Sequence, residues 1–235
     1  MIKLVTYRAA FSQPTATPFG VKAYILLKMS GQPFEIDYQD DPRKAPMGKF
    51  PLLVDDSETI PDSSNIRRHL ERKYGVDFDA GLSAHQKAQS HAFQRMAEEH
   101  LYWAIVWSLW GVDENWVGLR EAYFANVPAI VRKPIAGMIR KGVLRNARGH
   151  GLGRHLFKDQ CARAIEDMEA ISETLGEKPF FHGDTPTGAD ATLGAFMSGI
   201  VHNTFPTPLR EAARADQRLL AYGERIKARF YPDQQ

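Results

Sequence analysis

The chain holds one cysteine, Cys161, in 235 residues. A single thiol forms no internal disulfide and builds no cysteine zinc cluster. Its place in the row Phe157, Cys161, Ile165 and Met168 predicts a buried position on an amphipathic helix. No HExxH pair, GxGxxG loop or GxxxxGK cradle occurs, which removes zincin, dinucleotide and P-loop chemistry from the candidates and predicts no metal or nucleotide. No apolar run approaches the roughly 20 residues of a membrane span. The opening MIKLVTYRAAFSQP lacks the sustained apolar stretch of a secretory leader. The expectation is therefore a cytoplasmic protein with no membrane span.

Charge is nearly balanced, with 30 Lys and Arg against 28 Asp and Glu. A formal net charge of +2 gives no general affinity for nucleic acid. Acidic residues are missing from the stretch RKPIAGMIRKGVLRNARGHGLGRH, Arg132 to His155. It carries no zinc spacing, recognition-helix pattern or regular aromatic interleaving, so no nucleic-acid partner is expected. It reads as a solvated positive face, with a groove for an anionic ligand as the alternative.

What the chain does contain is organised around Pro46 to Gly75, PMGKFPLLVDDSETIPDSSNIRRHLERKYG. FPLLV reads as a short strand, DDSE as a turn, ETI as the next strand, and Asp62 or Ser63 as the cap of a helix bearing Ile66 and Leu70. Pro51 lacks the N–H a sheet ladder needs and belongs at a strand start. Upstream, KLVTY reads as a first strand, and AAFSQPTATP as a loop. A helix follows from Pro18, with Val21, Ile25 and Met29 on one face before Gly31. PFEIDY reads as the next strand.

These motifs resemble the glutathione-binding domain of the glutathione transferase family. The likeness rests on a PxGKxP turn (Pro46, Gly48, Lys49, Pro51), then Asp62 and Ser63, and Ile66 on the helix. It implies an α/β thioredoxin-like domain at 1–76, a linker at 77–84 and an all-α transferase-like domain at 85–235. It also implies a cis bond before Pro51 and a glutathione site made of Lys49, Phe50, Pro51, Asp62 and Ser63. Phe50 would pair its backbone with the cysteinyl part, and Asp62 and Ser63 would hold the γ-glutamyl end. Thr17 to Gly20, TPFG, occupies the position of the CPFC tetrad of thioredoxin-like proteins, with both cysteines absent. Dithiol chemistry is excluded, and Thr17 becomes the first candidate to donate a hydroxyl to the glutathione thiolate. Tyr7, at the end of the first strand, and Ser12, in the loop, are the other two. Capping and strand packing are the plain structural roles for Thr17 and Tyr7.

His85 to Trp110 reads as a helix of unusual aromatic content. In the transferase arrangement that the resemblance implies, Tyr102, Trp103 and Trp107 are candidates for an apolar second-substrate wall, core packing being the alternative. Arg95, Glu98, Glu99 and His100 on the same helix read as solvent-exposed ion pairs, with contact to glutathione across a cleft or a dimer interface as the alternative. Thr187 and Asp190 form a capping box, and Ala213 to Phe230 a final amphipathic helix. GHGLGRH, taken with TPFGVKAYILLKM, is similar to the axon-connection and metaxin-like branch of the superfamily. The resemblance implies a homodimer that conjugates glutathione, its thiol substrate, to a small hydrophobic electrophile in detoxification, or reduces peroxides with it. A noncatalytic glutathione-fold binding protein is the alternative.

Overall fold

The computed structural model describes residues 1–234. An N-terminal β-α part is followed by an all-α part, the order that the resemblance implies. Strand β1 (Ile2–Thr6) leads through a loop into helix α1 (Pro18–Ser30), then β2 (Phe34–Tyr38), β3 (Leu52–Asp55), β4 (Glu58–Pro61) and helix α2 (Ser63–Tyr74). The sheet order is β2-β1-β3-β4. β1 runs parallel to β2 and antiparallel to β3, with Val5 opposite Leu52. Leu52 in turn faces Pro61.

That register fixes the geometry of everything functional. The carboxyl end of β1, the start of β3 and the end of β4 lie side by side. The loops leaving this edge therefore deliver the N-termini of both α1 and α2 to one place. The Phe50–Pro51 peptide at the same edge is cis, and the Asp62 N–H donates to the Pro51 carbonyl at 3.2 Å.

The helical part begins with a continuous rod over 84–111, made of α3 (Ala84–Arg95), a π-helical stretch Met96–Leu101, α4 (Tyr102–Val106) and a second π-helical stretch Trp107–Gly111. α5 (Asp113–Tyr123) and α6 (Ala129–His150) follow, then α7 (Phe157–Leu175), α8 (Gly188–His202), α9 (Pro208–Ala215) and α10 (Gln217–Phe230). α8 is apolar on nearly all sides, as a central helix must be, and is buried along almost its whole length. One contiguous core joins it to α1 and the sheet, through contacts such as Phe19 against Phe196 at 5.9 Å between ring centroids. A second, smaller cluster of Trp116, Leu119, Phe124 and Ala136 sits beneath α5 and α6.

The fold settles three local features. The glycine-interrupted basic stretch from Arg132 lies mostly within one 22-residue helix, α6, which keeps Pro134 inside it. Each exposed glycine costs a helix only about 1 kcal/mol, and the cap of apolar residues beneath holds it. The final helix is two, because Asp216 ends α9 and accepts from Arg218 N and Leu219 N to start α10. Glu98 is not a solvent-exposed ion-pair partner: it is buried between the two halves. His100 keeps a part-exposed side chain and pairs with Asp167 of α7 at 2.6 Å.

Candidate functional site

Thr17 is the N-cap of α1. Its backbone is extended (φ −132°, ψ 143°), and its Oγ accepts the Gly20 N–H at 3.1 Å. The hydroxyl oxygen is thereby held while its own proton stays available to an acceptor. Pro18 has no N–H, Gly20 N serves Thr17 Oγ and Val21 N serves the Thr17 carbonyl. The Phe19 N–H and the positive end of the helix dipole face outward from this turn.

The loop that presents Thr17 is tied down from four directions. Thr15 and Thr6 share a buried hydroxyl–hydroxyl bond of 2.8 Å. Tyr38 Oη donates to the Pro14 carbonyl at 3.0 Å, Tyr123 Oη to the Ala16 carbonyl, and Gln13 Nε2 reaches Ser198 Oγ at 3.4 Å. Gly20 is required here, because a Cβ would meet Thr15 Cγ2 and Thr6 Oγ1, each at 2.6 Å. Thr17 is thus preorganised by strands and by helices of both halves.

Ser12 lies on this loop in a left-handed conformation (φ 57°) next to Phe11 (φ 55°). Phe11 packs on Tyr123 and Phe205, so the turn is anchored to the helical half. Tyr7 packs edge-on against Phe50 at 5.1 Å. Burial, then the neighbouring Tyr102 and Asp41, pushes its phenol up to about 12. Burial also raises Tyr102, and burial with Tyr102 and Tyr7 beside it raises Tyr123. The three phenols stay protonated at neutral pH and are hydrogen-bond donors rather than bases.

Across the edge, Asp62 caps α2 by accepting from Ser64 N at 2.8 Å and Asn65 N at 3.3 Å. It does so at φ 76°, a region that costs a non-glycine residue about 1–3 kcal/mol and persists only where surroundings impose it. Ser63 beside it is buried, and Pro51 is buried while Phe50 is half-covered and Lys49 exposed. The cis peptide, the Asp62 cap and the Thr17 cap therefore lie along the same edge of the sheet.

Sequence reasoning passed over the residue that links these parts. Lys22, one turn into α1, is 1% exposed and places its ammonium 2.7 Å from Glu98 Oε1 and 3.1 Å from Ser64 Oγ. Arg95 holds the other oxygen of Glu98. Burial lowers the Lys22 pKa against the opposing pull of Glu98. The signal was present: Lys22 lies in line with Leu26 and Met29, and Glu98 in line with Leu101, so each interrupts an apolar stripe at helical spacing.

The three aromatic candidates part company. Tyr102 packs on Phe19 at 5.0 Å, at the start of α1. Trp103 instead stacks on His150 at 5.1 Å, and Trp107 lies under the Arg148 guanidinium, both toward α6. Tyr123, not picked out from the sequence, comes to the Thr17 loop from α5. Cys161 is buried, and desolvation pushes its thiol up to about 11.

Residues 18–116 match the family described as Glutathione S-transferase N-terminal domain, and residues 164–226 that described as Glutathione S-transferase, C-terminal domain. The isoprene-epoxide–glutathione S-transferase of Rhodococcus sp. strain AD45 is 31% identical, over 98% of this chain and 99% of that protein. The chain belongs to the glutathione S-transferase family. Within it, the chain falls with the branch of Failed axon connections of Drosophila melanogaster and the metaxins. The first is 28% identical over 98% of this chain and 59% of its own length. Human Metaxin-1 is 24% identical over 98% of this chain and 51% of its own length. This transferase-family chain thus spans little more than half of those two proteins. Among solved structures, the beta-etherase LigF of Sphingobium sp. strain SYK-6 superposes with a TM-score of 0.67 at 18% identity, covering 97% of this chain and 95% of that one.

These relatives correct the expectation of a cytoplasmic protein. The branch includes Metaxin-1 and Failed axon connections along nearly the whole chain, so family membership does not carry a cytoplasmic address. Among the described residues no helix is long and apolar enough to cross a membrane, and that observation alone assigns no compartment.

Proposed function

We propose that the protein binds glutathione at the shared sheet edge and adds its sulfur to a small hydrophobic electrophile. The observation that carries this reading is the Thr17 hydroxyl, fixed at the α1 N-terminus with its proton free, beside the capped N-terminus of α2. In this reading Phe50 pairs its backbone with the cysteinyl unit, flanked by Lys49 and Pro51. Asp62 takes the γ-glutamyl ammonium, while Ser63 and the α2 N-terminus take its carboxylate. Thr17 donates to the sulfur, and the α1 dipole favours the thiolate over the thiol.

The thiolate then attacks an electrophilic carbon and forms a C–S bond while the leaving bond breaks. For a strained ring oxygen that bond is C–O, and the oxygen takes a proton from solvent or a neighbouring phenol. The name of the Rhodococcus relative supports an epoxide as the first electrophile to try. Tyr102 and Tyr123 supply the apolar and hydroxyl wall nearest Thr17; Trp103 and Trp107 extend it only toward α6. Residues 1–76 act as the thiol-binding half and 85–235, joined through 77–84, as the electrophile-binding half, in a homodimer. Glutathione is the reductant where the electrophile is a peroxide.

A second reading keeps glutathione binding without turnover. It is supported by the relatives named Failed axon connections and Metaxin-1. Calorimetric titration of glutathione, followed by thiol-consumption assays over epoxides, haloarenes and peroxides, separates the two. Binding with consumption supports the transferase, and binding alone supports the second reading.

A further inference from the structure

Residues 122–158 hold eight Lys and Arg and no Asp or Glu, so with +2 for the whole chain the remainder carries −6. Most of these cations belong to α6. Arg132 pairs with Glu121 and Arg140 with Asp113, whereas Lys133, Lys141 and Arg145 have no acidic partner among the described residues. Ala136 and Ala147 are buried and mark the inward side of the helix. At helical spacing the opposite side presents Ile130, Pro134 and Met138 in its first half, then Lys141 and Arg145 in its second. Ile130 is 89% exposed and Met138 69%. Between Gly137 and Leu144 runs an open groove of about 370 Å³, rimmed by Arg140, Lys141, Arg145 and Arg148.

We infer that the outer face of α6 is a docking surface for an anionic lipid bilayer. Ile130 and Met138 enter the boundary between headgroups and acyl chains, and Lys141 and Arg145 on the same face, with Lys133 at its flank, engage lipid phosphates. A basic helix with aliphatic side chains on its exposed face is the composition that lies in a membrane interface, buried by about 5–10 Å. The charge asymmetry orients it, because an anionic surface attracts α6 and repels the −6 remainder. A nucleic acid would use the cations and leave Ile130 and Met138 in water.

The test is co-sedimentation of the full chain with phosphatidylcholine vesicles, with and without phosphatidylglycerol, at low and high salt. The chain should bind only the phosphatidylglycerol vesicles and be released by salt. Each cation removed should weaken partitioning about fivefold, so Lys133→Gln, Lys141→Gln and Arg145→Gln together should lower it roughly a hundredfold. Ile130→Ser with Met138→Ser should weaken it at low salt as well. All five side chains are exposed or rim the groove, so circular dichroism should show an unchanged fold. Equal binding to neutral vesicles, no loss in the folded variants, or preference for RNA over vesicles overturns the inference. So does a wild-type dimer that the same substitutions dissociate without any vesicle binding, which would make a second copy the occupant.

Discussion

Lys22 of α1 and Glu98 of the helical rod meet at 2.7 Å with their side chains 1% and 4% exposed, an ion pair carried across the seam between the two halves. Its burial costs both ions their hydration, so the pair contributes through geometry more than through net energy. Breaking one side is another matter. Lys22→Met leaves the Glu98 carboxylate with Arg95 alone and should cost about 3 kcal/mol in urea denaturation. The double variant Lys22→Met, Glu98→Leu should recover much of that, because the two buried charges leave together and the Arg95 side chain that loses its partner is 41% exposed. A double variant less stable than the sum of its parts would contradict this account of the seam.

Asp55 should govern acid stability of the sheet half. Its Oδ2 accepts from His69 at 2.7 Å, Tyr74 at 2.8 Å and Lys73 at 2.9 Å. Burial works to raise its pKa, but the bonds from His69, Lys73 and Tyr74 prevail and hold it at about 2. An unfolded aspartate titrates near 3.9. The folded value is the lower, so this stabilisation is complete above about pH 4 and drains away as pH falls toward 2. Asp55→Asn should remove about 1–3 kcal/mol at pH 7 and flatten that acid limb. Melting curves over pH 2–7 check both parts.

Asp190 should matter to folding and leave chemistry alone. Its carboxylate accepts from Phe181 N at 2.8 Å, Thr187 N at 2.7 Å and Tyr222 Oη at 2.8 Å, all buried. Asp190→Ala orphans these donors and should cost about 3–5 kcal/mol. Glutathione affinity of the protein that remains folded should be unchanged, as read by titration below the variant's melting temperature.

The parts of this architecture that were legible in the sequence are those written in local chemistry. The Pro46–Gly75 unit, the Pro18 helix start and the Thr187–Asp190 box declare strands, caps and turns within a few residues. The longer-range facts were not local. Lys22 and Glu98 are 76 positions apart, and each alone reads as a surface charge on a helix until both are seen to break an apolar stripe. Tyr123 reaches the Ala16 carbonyl over 107 positions, a contact set by how α5 folds back. Trp103 and Trp107 carry the right chemistry for a second-substrate wall, but the rotation of the π-helical rod decides which aromatic faces α1, and it selects Tyr102.

The α2 cap is the affinity determinant of the proposed site. Asp62→Ala with Ser63→Ala should weaken glutathione binding roughly ten- to a hundredfold, the scale of a lost charge-assisted contact of about 1.5–3 kcal/mol. Ser64→Ala removes the hydroxyl that Lys22 Nζ contacts at 3.1 Å and should give a smaller loss. Helical content by circular dichroism should stay near wild type. Unchanged binding in a folded Asp62, Ser63 double variant would remove the assignment.

The most direct measurement of the central claim is the pKa of bound glutathione, followed by ultraviolet thiolate absorbance in wild type and in Thr17→Val and Thr17→Ser. Valine keeps the shape and removes the donor, while serine keeps it. A hydrogen bond to an anion is worth about 1.5–3 kcal/mol, which corresponds to roughly one to two pKa units. The account predicts that Thr17→Val binds glutathione nearly as wild type, with the thiol pKa raised by that amount and turnover slowed. Thr17→Ser, Tyr7→Phe and Ser12→Ala should stay close to wild type. An unchanged thiol pKa in a folded Thr17→Val protein, with the shift appearing in Tyr7→Phe or Ser12→Ala, would contradict it.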